Sequence, residues 1–258
     1  MTTAVAVPTL DVSGTKPVPL SRLIKVEMRK MADTKAGLWL LLAVGGIAVL
    51  VIAGFFIWGE ARDRTFLDLM AYAGIPFSFL LPVLGILLIT QEWGQRTALV
   101  TFTQVPHRGQ VVFAKFAAAL AFTLAAMLIA AAVAAPLALV GGADQPFDDV
   151  SVGLLAKILL GLVIGTVWGL AFGAAFLNSA FAIVLYFVVP TIVSIVSGIW
   201  PAMQDDMEWF DLNLSTSKLY ESGGLGGQEW AQLGTGLLIW VALPAAFGVW
   251  RILRAEIK

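Results

Sequence analysis

Six apolar stretches, each about as long as a membrane-spanning helix, limit the folds open to this chain. A hydrocarbon layer about 30 Å thick is crossed by roughly 20 helical residues, because each residue rises 1.5 Å. Apolar residues make up 59% of the chain and charged residues 13%, against roughly 45–50% and about 25% in soluble domains. A soluble fold could not bury so much apolar surface. We therefore expect an all-α integral membrane protein with six transmembrane helices, over residues 38–58, 69–90, 111–140, 152–176, 180–200 and 231–250.

The distribution of basic residues predicts the side of the membrane on which each connecting segment lies. Twelve of the 16 Lys and Arg residues lie on the same side as the N-terminus, and the opposite segments contain only Arg62, Arg64, Lys157 and Lys218. Because cytoplasmic segments are enriched in Lys and Arg, we expect both termini in the cytoplasm. Residues 1–19 contain three prolines and no periodic apolar face, which predicts a disordered tail before the interfacial helix and the six-span domain at 37–258.

Residues 20–36 have the pattern of an amphipathic helix lying on the inner membrane surface. Apolar residues recur at helical spacing, and Glu27 is the one exception on that face. The other face is basic, which suits anionic lipid headgroups. The alternative is a basic flank that only sets the topology. The apolar positions are Leu20, Leu23, Ile24, Met28 and Met31, and the basic positions are Arg22, Lys25, Arg29 and Lys30.

The segment 91–110, QEWGQRTALVTFTQVPHRGQ, is the most distinctive part of the chain. Glu92 and Arg96 are four residues apart, a spacing that permits a helical ion pair. Residues 98–104 are too short to cross a membrane, and Pro106 ends the pattern. We expect a short helix on the cytoplasmic surface, with Thr97, Phe102 and Arg108 available to a partner. An ordinary loop is the alternative.

The outer segment 201–229 is acidic but also carries the apolar residues Trp209, Phe210, Leu212 and Leu214. These residues predict partial re-entry into the membrane or a cap over a cavity, and a plain exposed loop is an equal alternative.

Small residues in the fourth span predict close helix packing. Gly161, Gly165, Gly169 and Gly173 recur every four residues and share one helical face, which lets backbones approach closely within the subunit or across a dimer. Only residues 177–179 separate this span from the fifth, and we expect a tight turn at Asn178. Trp168 and Trp240 fall inside spans, where we expect them to pack between helices.

The chain lacks the residues that most catalytic and cofactor sites need. It has no cysteine, one histidine (His107), no phosphate-binding GxxxxGK[ST] loop and no HExxH motif. No span has an acidic residue at its centre, and Lys115 and Lys157 lie near span ends, where their ammonium groups can reach the interface. With a net charge of -1, nucleic-acid binding is disfavoured. We therefore expect no enzyme activity and no catalytic, cofactor or metal site in this chain.

The residues of the segment after the second span resemble those of the type 2 ABC transporter permeases. Glu-Trp-Gly-Gln-Arg-Thr at 92–97, Val-Pro-His-Arg at 105–108 and Lys115 stand where that family has a Glu, a Gly-Thr-like step, a Pro-x-Arg-like step and a Lys. Arg96-Thr97 replaces the commoner Gly-Thr. An N-terminal amphipathic helix, six spans and a long outer connection before the last span are similar too.

The resemblance implies a permease subunit of an ATP-driven exporter. It would pair with a second permease subunit, the same chain or a paralogue, above two separate ABC ATPase subunits that bind ATP and Mg²⁺. The residues that would couple to the ATPase are Glu92, Arg96, Thr97, Pro106 and Arg108, with Arg29 and Lys30 in support. The implied location is a plasma membrane, and the composition, without cysteine and rich in Ala and Gly, fits a bacterial one. Two alternatives remain, a membrane anchor or assembly subunit that transports nothing, and a secondary carrier. The substrate is not readable from the sequence.

Overall fold

A computed structural model of the chain describes residues 18–105, 107–199, 204–220 and 225–255, and the fold over these residues is helical. Six helical runs are long and apolar enough to cross a membrane, as a multi-pass membrane protein requires. The long helices are α2 (Lys35–Trp58), α3 (Phe66–Gly94), α5 (Arg108–Val140), α6 (Val152–Phe176), α7 (Ser179–Ile199) and the run α10 (Gly227–Leu237) to α11 (Leu243–Arg254). The short ones are α1 (Leu20–Asp33), α4 (Ala98–Gln104), α8 (Gln204–Met207) and α9 (Leu212–Ser217).

The six predicted spans correspond to these six runs, and most of the helices extend further than their apolar stretches. Polar residues at the ends continue the helix, so α3 ends at Gly94 and α5 begins at Arg108. The turn between α6 and α7 differs from the prediction. Leu177 adopts the left-handed conformation, with φ 53°, whereas Asn178 caps α7 by accepting a hydrogen bond from the Phe181 N–H at 3.0 Å.

Helices α3 and α6 form the centre of the bundle. In their most apolar stretches more than half of the residues are buried, whereas fewer than one in five are buried in α2, α7 and the α10–α11 run. The exposed side chains are largely apolar, for example Trp39, Leu50 and Trp58 on α2. A belt of apolar side chains on the outside of a bundle is what a lipid environment accommodates.

The glycines of α6 lie against α3 and the α9 region. A side chain at Gly169 would overlap the carbonyl group of Pro82, and one at Gly173 would overlap Ile86 and Ile89. Gly161 instead faces the hydroxyl of Tyr220, and Gly165 has more room, with Pro82 Cγ 3.7 Å from where a Cβ would lie. The stripe therefore brings α6 close to α3 within one subunit.

Two further contacts lie inside the bundle, one between aromatic rings and one between hydroxyl groups. Trp168 is buried, and its ring lies 5.8 Å from that of Trp240, so these two residues pack between α6 and the last helical run. Thr123 of α5 and Thr166 of α6 share a buried hydrogen bond of 2.9 Å. Between α10 and α11, residues Leu238–Ala242 form a π-helical turn just before Pro244.

The bundle has two ends of different charge. We call the one with α1, α4 and the end of α11 the basic end, and the one with residues 141–151, α8 and α9 the acidic end. At the acidic end, Leu212 and Leu219 are fully buried and Asp211 accepts a 2.8 Å hydrogen bond from Ser194 of α7. The described part of the outer segment is thus packed on the bundle and is not a plain exposed loop, although Phe210 and Leu214 stay partly exposed.

Candidate functional site

The amphipathic helix α1 lies against the bundle through a narrow face. Leu23, Glu27 and Met31, each four residues apart, are its buried residues. The helix ends at Asp33, three residues earlier than predicted, because Thr34 is extended and caps α2 by accepting a 3.2 Å hydrogen bond from the Gly37 N–H. One residue therefore separates α1 from the first long helix.

Four charged side chains meet beneath α1 in a closed ring, which we call the ion ring: Glu27, Lys30, Glu92 and Lys115. Lys30 Nζ lies 2.8 Å from Glu27 Oε1 and 2.6 Å from Glu92 Oε1. Lys115 Nζ lies 2.5 Å from Glu27 Oε2 and 3.2 Å from Glu92 Oε2. Each ammonium group contacts both carboxylates. The two positive and two negative charges cancel, so the ring has no net charge.

The ion ring is almost fully withdrawn from the surface and connects four helices. The side chains of Glu27, Glu92 and Lys115 are at most 4% exposed, and that of Lys30 is 31% exposed. Lys115 also donates to the Leu88 carbonyl at 2.9 Å, and Thr101 of α4 donates to Glu92 Oε1 at 3.1 Å. Buried charges are tolerated when they are paired and hydrogen-bonded in this way.

The position of Lys115 corrects a prediction made from the sequence. Its ammonium group does not extend to the interface but points into the bundle between two carboxylates. The same contact explains why Glu27 interrupts the apolar face of α1. This face packs on the bundle, where the Glu27 carboxylate pairs with Lys115.

The ring also controls the ionisation of Lys30. Burial by itself would lower the pKa of this side chain, but the neighbouring carboxylates of Glu92 and Glu27 outweigh burial and raise its pKa. Lys30 therefore stays charged throughout the physiological range.

A tight turn joins α3 to α4 and directs α4 along the basic end. Arg96 adopts the left-handed conformation, with φ 57°, and the Thr97 N–H donates to the Glu92 carbonyl at 2.9 Å. Because α3 ends at Gly94 and the Glu92 carboxylate is held in the ion ring, the helical pair that the Glu92–Arg96 spacing permits does not form. Arg96 and Thr97 are both exposed.

Helix α4 presents one apolar face inward and another outward. Ala98 and Phe102 are buried, and the Phe102 ring lies 6.4 Å from that of Trp93. The prediction that Phe102 is available to a partner is therefore wrong, because it anchors α4 to the core. Leu99 and Val100 are instead the apolar side chains that α4 exposes, each to about half of its surface.

Two arginines bind the C-terminal ends of neighbouring helices. Arg108 Nη1 donates to the carbonyls of Ile252 and Ala255, both at 2.9 Å, and Arg251 Nη1 donates to the Ala175 carbonyl at 2.8 Å. The last carbonyls of a helix lack partners within it and carry a partial negative charge, which a guanidinium group satisfies. Arg108 also lies over the Phe102 ring. It is thus engaged within the chain.

A groove of about 650 Å³ lies between α1 and α4, and we call it the α1–α4 groove. The ion ring forms part of its floor through Glu27, Lys30 and Glu92. Gln91 also contributes, and its side-chain amide nitrogen is buried without a hydrogen-bond partner among the described residues. Further residues on its walls are Arg22, Leu23, Val26, Arg29, Thr97, Val100, Thr101 and Gln104.

The structure thus brings together four of the predicted coupling residues and separates the others. Glu92, Lys30, Arg29 and Thr97 all line the α1–α4 groove, and Arg29 also pairs with Asp33 on the exposed side of α1 at 3.1 Å. Arg96 is exposed in the turn before α4, Arg108 is bound to α11, and Pro106 lies outside the described residues.

Sequence reasoning missed the roles of Glu27, Thr101 and Arg251. A carboxylate on an apolar helix face was the available signal for Glu27, and a basic residue in the last turn of a helix was the signal for Arg251. Nothing in the local sequence marks Thr101.

The described residues contain no cluster of three or more His, Cys, Asp or Glu side chains able to hold a metal ion. In comparisons with known proteins, no family model matches the chain, and no curated protein is significantly similar to it.

Proposed function

We propose that this chain is the permease subunit of an ATP-driven ABC exporter in a plasma membrane, with its basic end and both termini in the cytoplasm. It forms the substrate path with a second permease subunit and is driven by separate ABC ATPase subunits that bind ATP and Mg²⁺. The observation that carries the proposal is the α1–α4 groove, which the residues of the family-like segment 92–115 help to build.

The groove has the features of a surface for a protein partner. Its wall on α4 exposes Val100, and Gln91 offers an amide donor without a partner among the described residues. On the opposite wall, Arg29 is paired with Asp33, and Arg22 leaves the edge with a net positive charge. An ATPase element that presents an apolar helix flanked by acidic side chains would complement all three features.

The ion ring supports a role in force transmission. It joins α1, α3, α4 and α5 at one point, so a push on α1 or α4 is carried to two of the long helices. Networks of hydrogen bonds and salt bridges are among the contacts that can carry energetic coupling between distant sites.

A single substitution on α4 tests the proposal. Val100→Glu places a carboxylate in the groove, and we expect it to abolish co-purification of the ATPase subunit and ATP-dependent substrate movement in reconstituted vesicles. Thr103→Glu is the matched control, since Thr103 is exposed on the same helix but does not line the groove. We expect this control variant to retain both properties.

The same measurements separate the proposal from its alternatives. An anchor subunit would retain a soluble partner through the groove but would show no ATP-driven transport. A secondary carrier would purify without an ATPase and would respond to an ion gradient. If Val100→Glu and the wild type behave alike in both assays, the groove does not bind the ATPase.

A further inference from the structure

A second large cavity lies at the other end of the bundle, between residues 67–82 of α3 and 153–168 of α6. We call it the α3–α6 crevice. Its volume is about 1070 Å³, which is at the upper end of the roughly 300–1,000 Å³ range of small-molecule sites. From Gly153 at its mouth to Trp168 at its base, α6 rises about 22 Å.

The crevice exists because α3 and α6 diverge towards the acidic end. Near the basic end, Gly85 and Gly169 bring the two backbones into direct contact, and a side chain at either position would overlap the opposite helix. Closer to the acidic end, Gly74 has no heavy atom within 4 Å of where a Cβ would lie, and Gly165 has only Pro82 Cγ, at 3.7 Å. Gly74 therefore faces open space, and Gly165 has room for a side chain beside Pro82.

The mouth and the walls of the crevice differ in polarity. Asp68, Asp149 and Lys157 line the mouth, together with Asn213 of α9. Below them the walls are apolar, with Phe77, Leu162 and Ile164 among their residues. Such a gradient complements an amphiphile whose polar end remains near the acidic end of the bundle and whose apolar body enters the crevice.

At the base of the crevice, one buried hydrogen-bond donor has no partner among the described residues. Trp168 is 4% exposed, and its indole N–H has no hydrogen-bond partner among the described residues. A buried donor without an acceptor is costly, so a ligand that supplies an acceptor would bind favourably here.

We propose that the α3–α6 crevice binds an elongated amphiphile that has a polar headgroup at one end and a hydrogen-bond acceptor at the end of its apolar chain. The headgroup lies among the charged residues of the mouth, the chain lies along Gly74 and Gly165, and the terminal acceptor receives the Trp168 N–H. This inference does not rest on the proposed function, because a ligand site inside one subunit requires neither an ATPase nor a dimer.

Two probes that differ in one hydroxyl group test the site. Hexadecylphosphocholine has a zwitterionic headgroup and an apolar chain, and its ω-hydroxy derivative adds an acceptor at the far end of the chain. Equilibrium binding of both, as tritiated compounds, is measured on the purified chain in lipid nanodiscs without ATP. The preference of each protein is the Kd of the plain compound divided by the Kd of the ω-hydroxy compound. We expect this ratio to be about 3- to 10-fold larger in the wild type than in Trp168→Phe.

Comparing this preference between the two proteins cancels the different partitioning of the probes into lipid, as in a double-mutant cycle. Gly165→Leu and Gly74→Leu fill the crevice from opposite walls, and we expect each to weaken both probes at least tenfold. Gly46→Leu is the control, since Gly46 also has no heavy atom within 4 Å but lies on α2, outside the crevice. It should bind as the wild type does.

Equal preference in the wild type and Trp168→Phe would overturn the role of the indole. Unchanged binding in both crevice-filling variants, each shown by its thermal unfolding to be folded, would overturn the site itself.

Discussion

The sequence around Lys115 does not reveal where its ammonium group lies. Its position near the end of a long apolar run allows the side chain to reach either the interface or the interior, and the local pattern is the same in both cases. The carboxylates that bind it belong to Glu27 and Glu92, which are 88 and 23 positions earlier in the chain. Their meeting depends on how α1, α3 and α5 pack, and a single sequence does not contain that information.

Removal of Lys115 should destabilise the protein strongly. In Lys115→Met the Glu27 and Glu92 carboxylates would stay buried with one cation instead of two, and breaking a buried pair in this way costs about 3–5 kcal/mol. We expect a clear fall in the thermal unfolding midpoint of the purified protein in mild detergent.

Two further variants distinguish the ion ring from a general effect of lost charge. Adding Glu27→Leu to Lys115→Met removes the unpaired carboxylate and should restore part of the midpoint. Lys25→Met changes an exposed lysine of α1 that is outside the ring and should leave the midpoint close to that of the wild type. A Lys115→Met protein as stable as the wild type would show that the ring contributes little.

At the scale of the elements, the long helices followed from length and hydropathy, and α4 was correctly placed at residues 98–104. The face that each helix buries was harder to predict. Phe102 and Arg108 look like surface residues in a polar segment, yet one is buried in the core and the other is bound to α11. The π-helical turn at Leu238–Ala242 also has no local signal apart from the nearby Pro244.

The acidic-end segment around α9 should loosen in acid. Hydrogen bonds from Lys218 and Gln232 to Glu208 lower the pKa of this carboxyl below its ordinary value. A group with a lowered pKa stabilises the fold above its unfolded-state pKa of 4.5, and that contribution is lost as the pH falls through the lower, folded-state value. We expect the protection of residues 204–220 against hydrogen exchange, relative to the intrinsic exchange rate at each pH, to decrease as the pH falls below 4.5.

At neutral pH, residues 204–220 of Glu208→Gln should be less protected than those of the wild type, and the variant should lose most of this acid-induced decrease in protection. Asp206→Asn, which removes a neighbouring exposed carboxyl, should keep it. An unaltered pH profile in Glu208→Gln would mean that other carboxyls hold this segment in place.

For the whole molecule, the charge difference between the two ends leads to a prediction of topology. The basic end should face the cytoplasm, because Lys and Arg are retained on that side of a membrane. The chain has no cysteine, so a single introduced thiol can be labelled without background. We expect Asp148→Cys, at the acidic end, to react with a membrane-impermeant maleimide in intact cells.

Thr103→Cys, exposed on α4 at the basic end, should react with the same reagent only after the cells are permeabilised. The opposite result at both positions would invert the orientation and would place the α1–α4 groove out of reach of any ATP-driven partner in the cytoplasm.

The contact between Gly169 and Pro82 gives α3 the geometry of a lever. The helix is continuous from Phe66 to Gly94 and touches the α6 backbone most closely near Pro82. The arm from this fulcrum to Glu92 is about 15 Å long, and the arm to Phe66 is about 24 Å long. If α3 tilts about this fulcrum as a rigid rod, its acidic end moves about 1.6 times as far as its basic end. A small movement of the ion ring would then become a larger change in the width of the crevice.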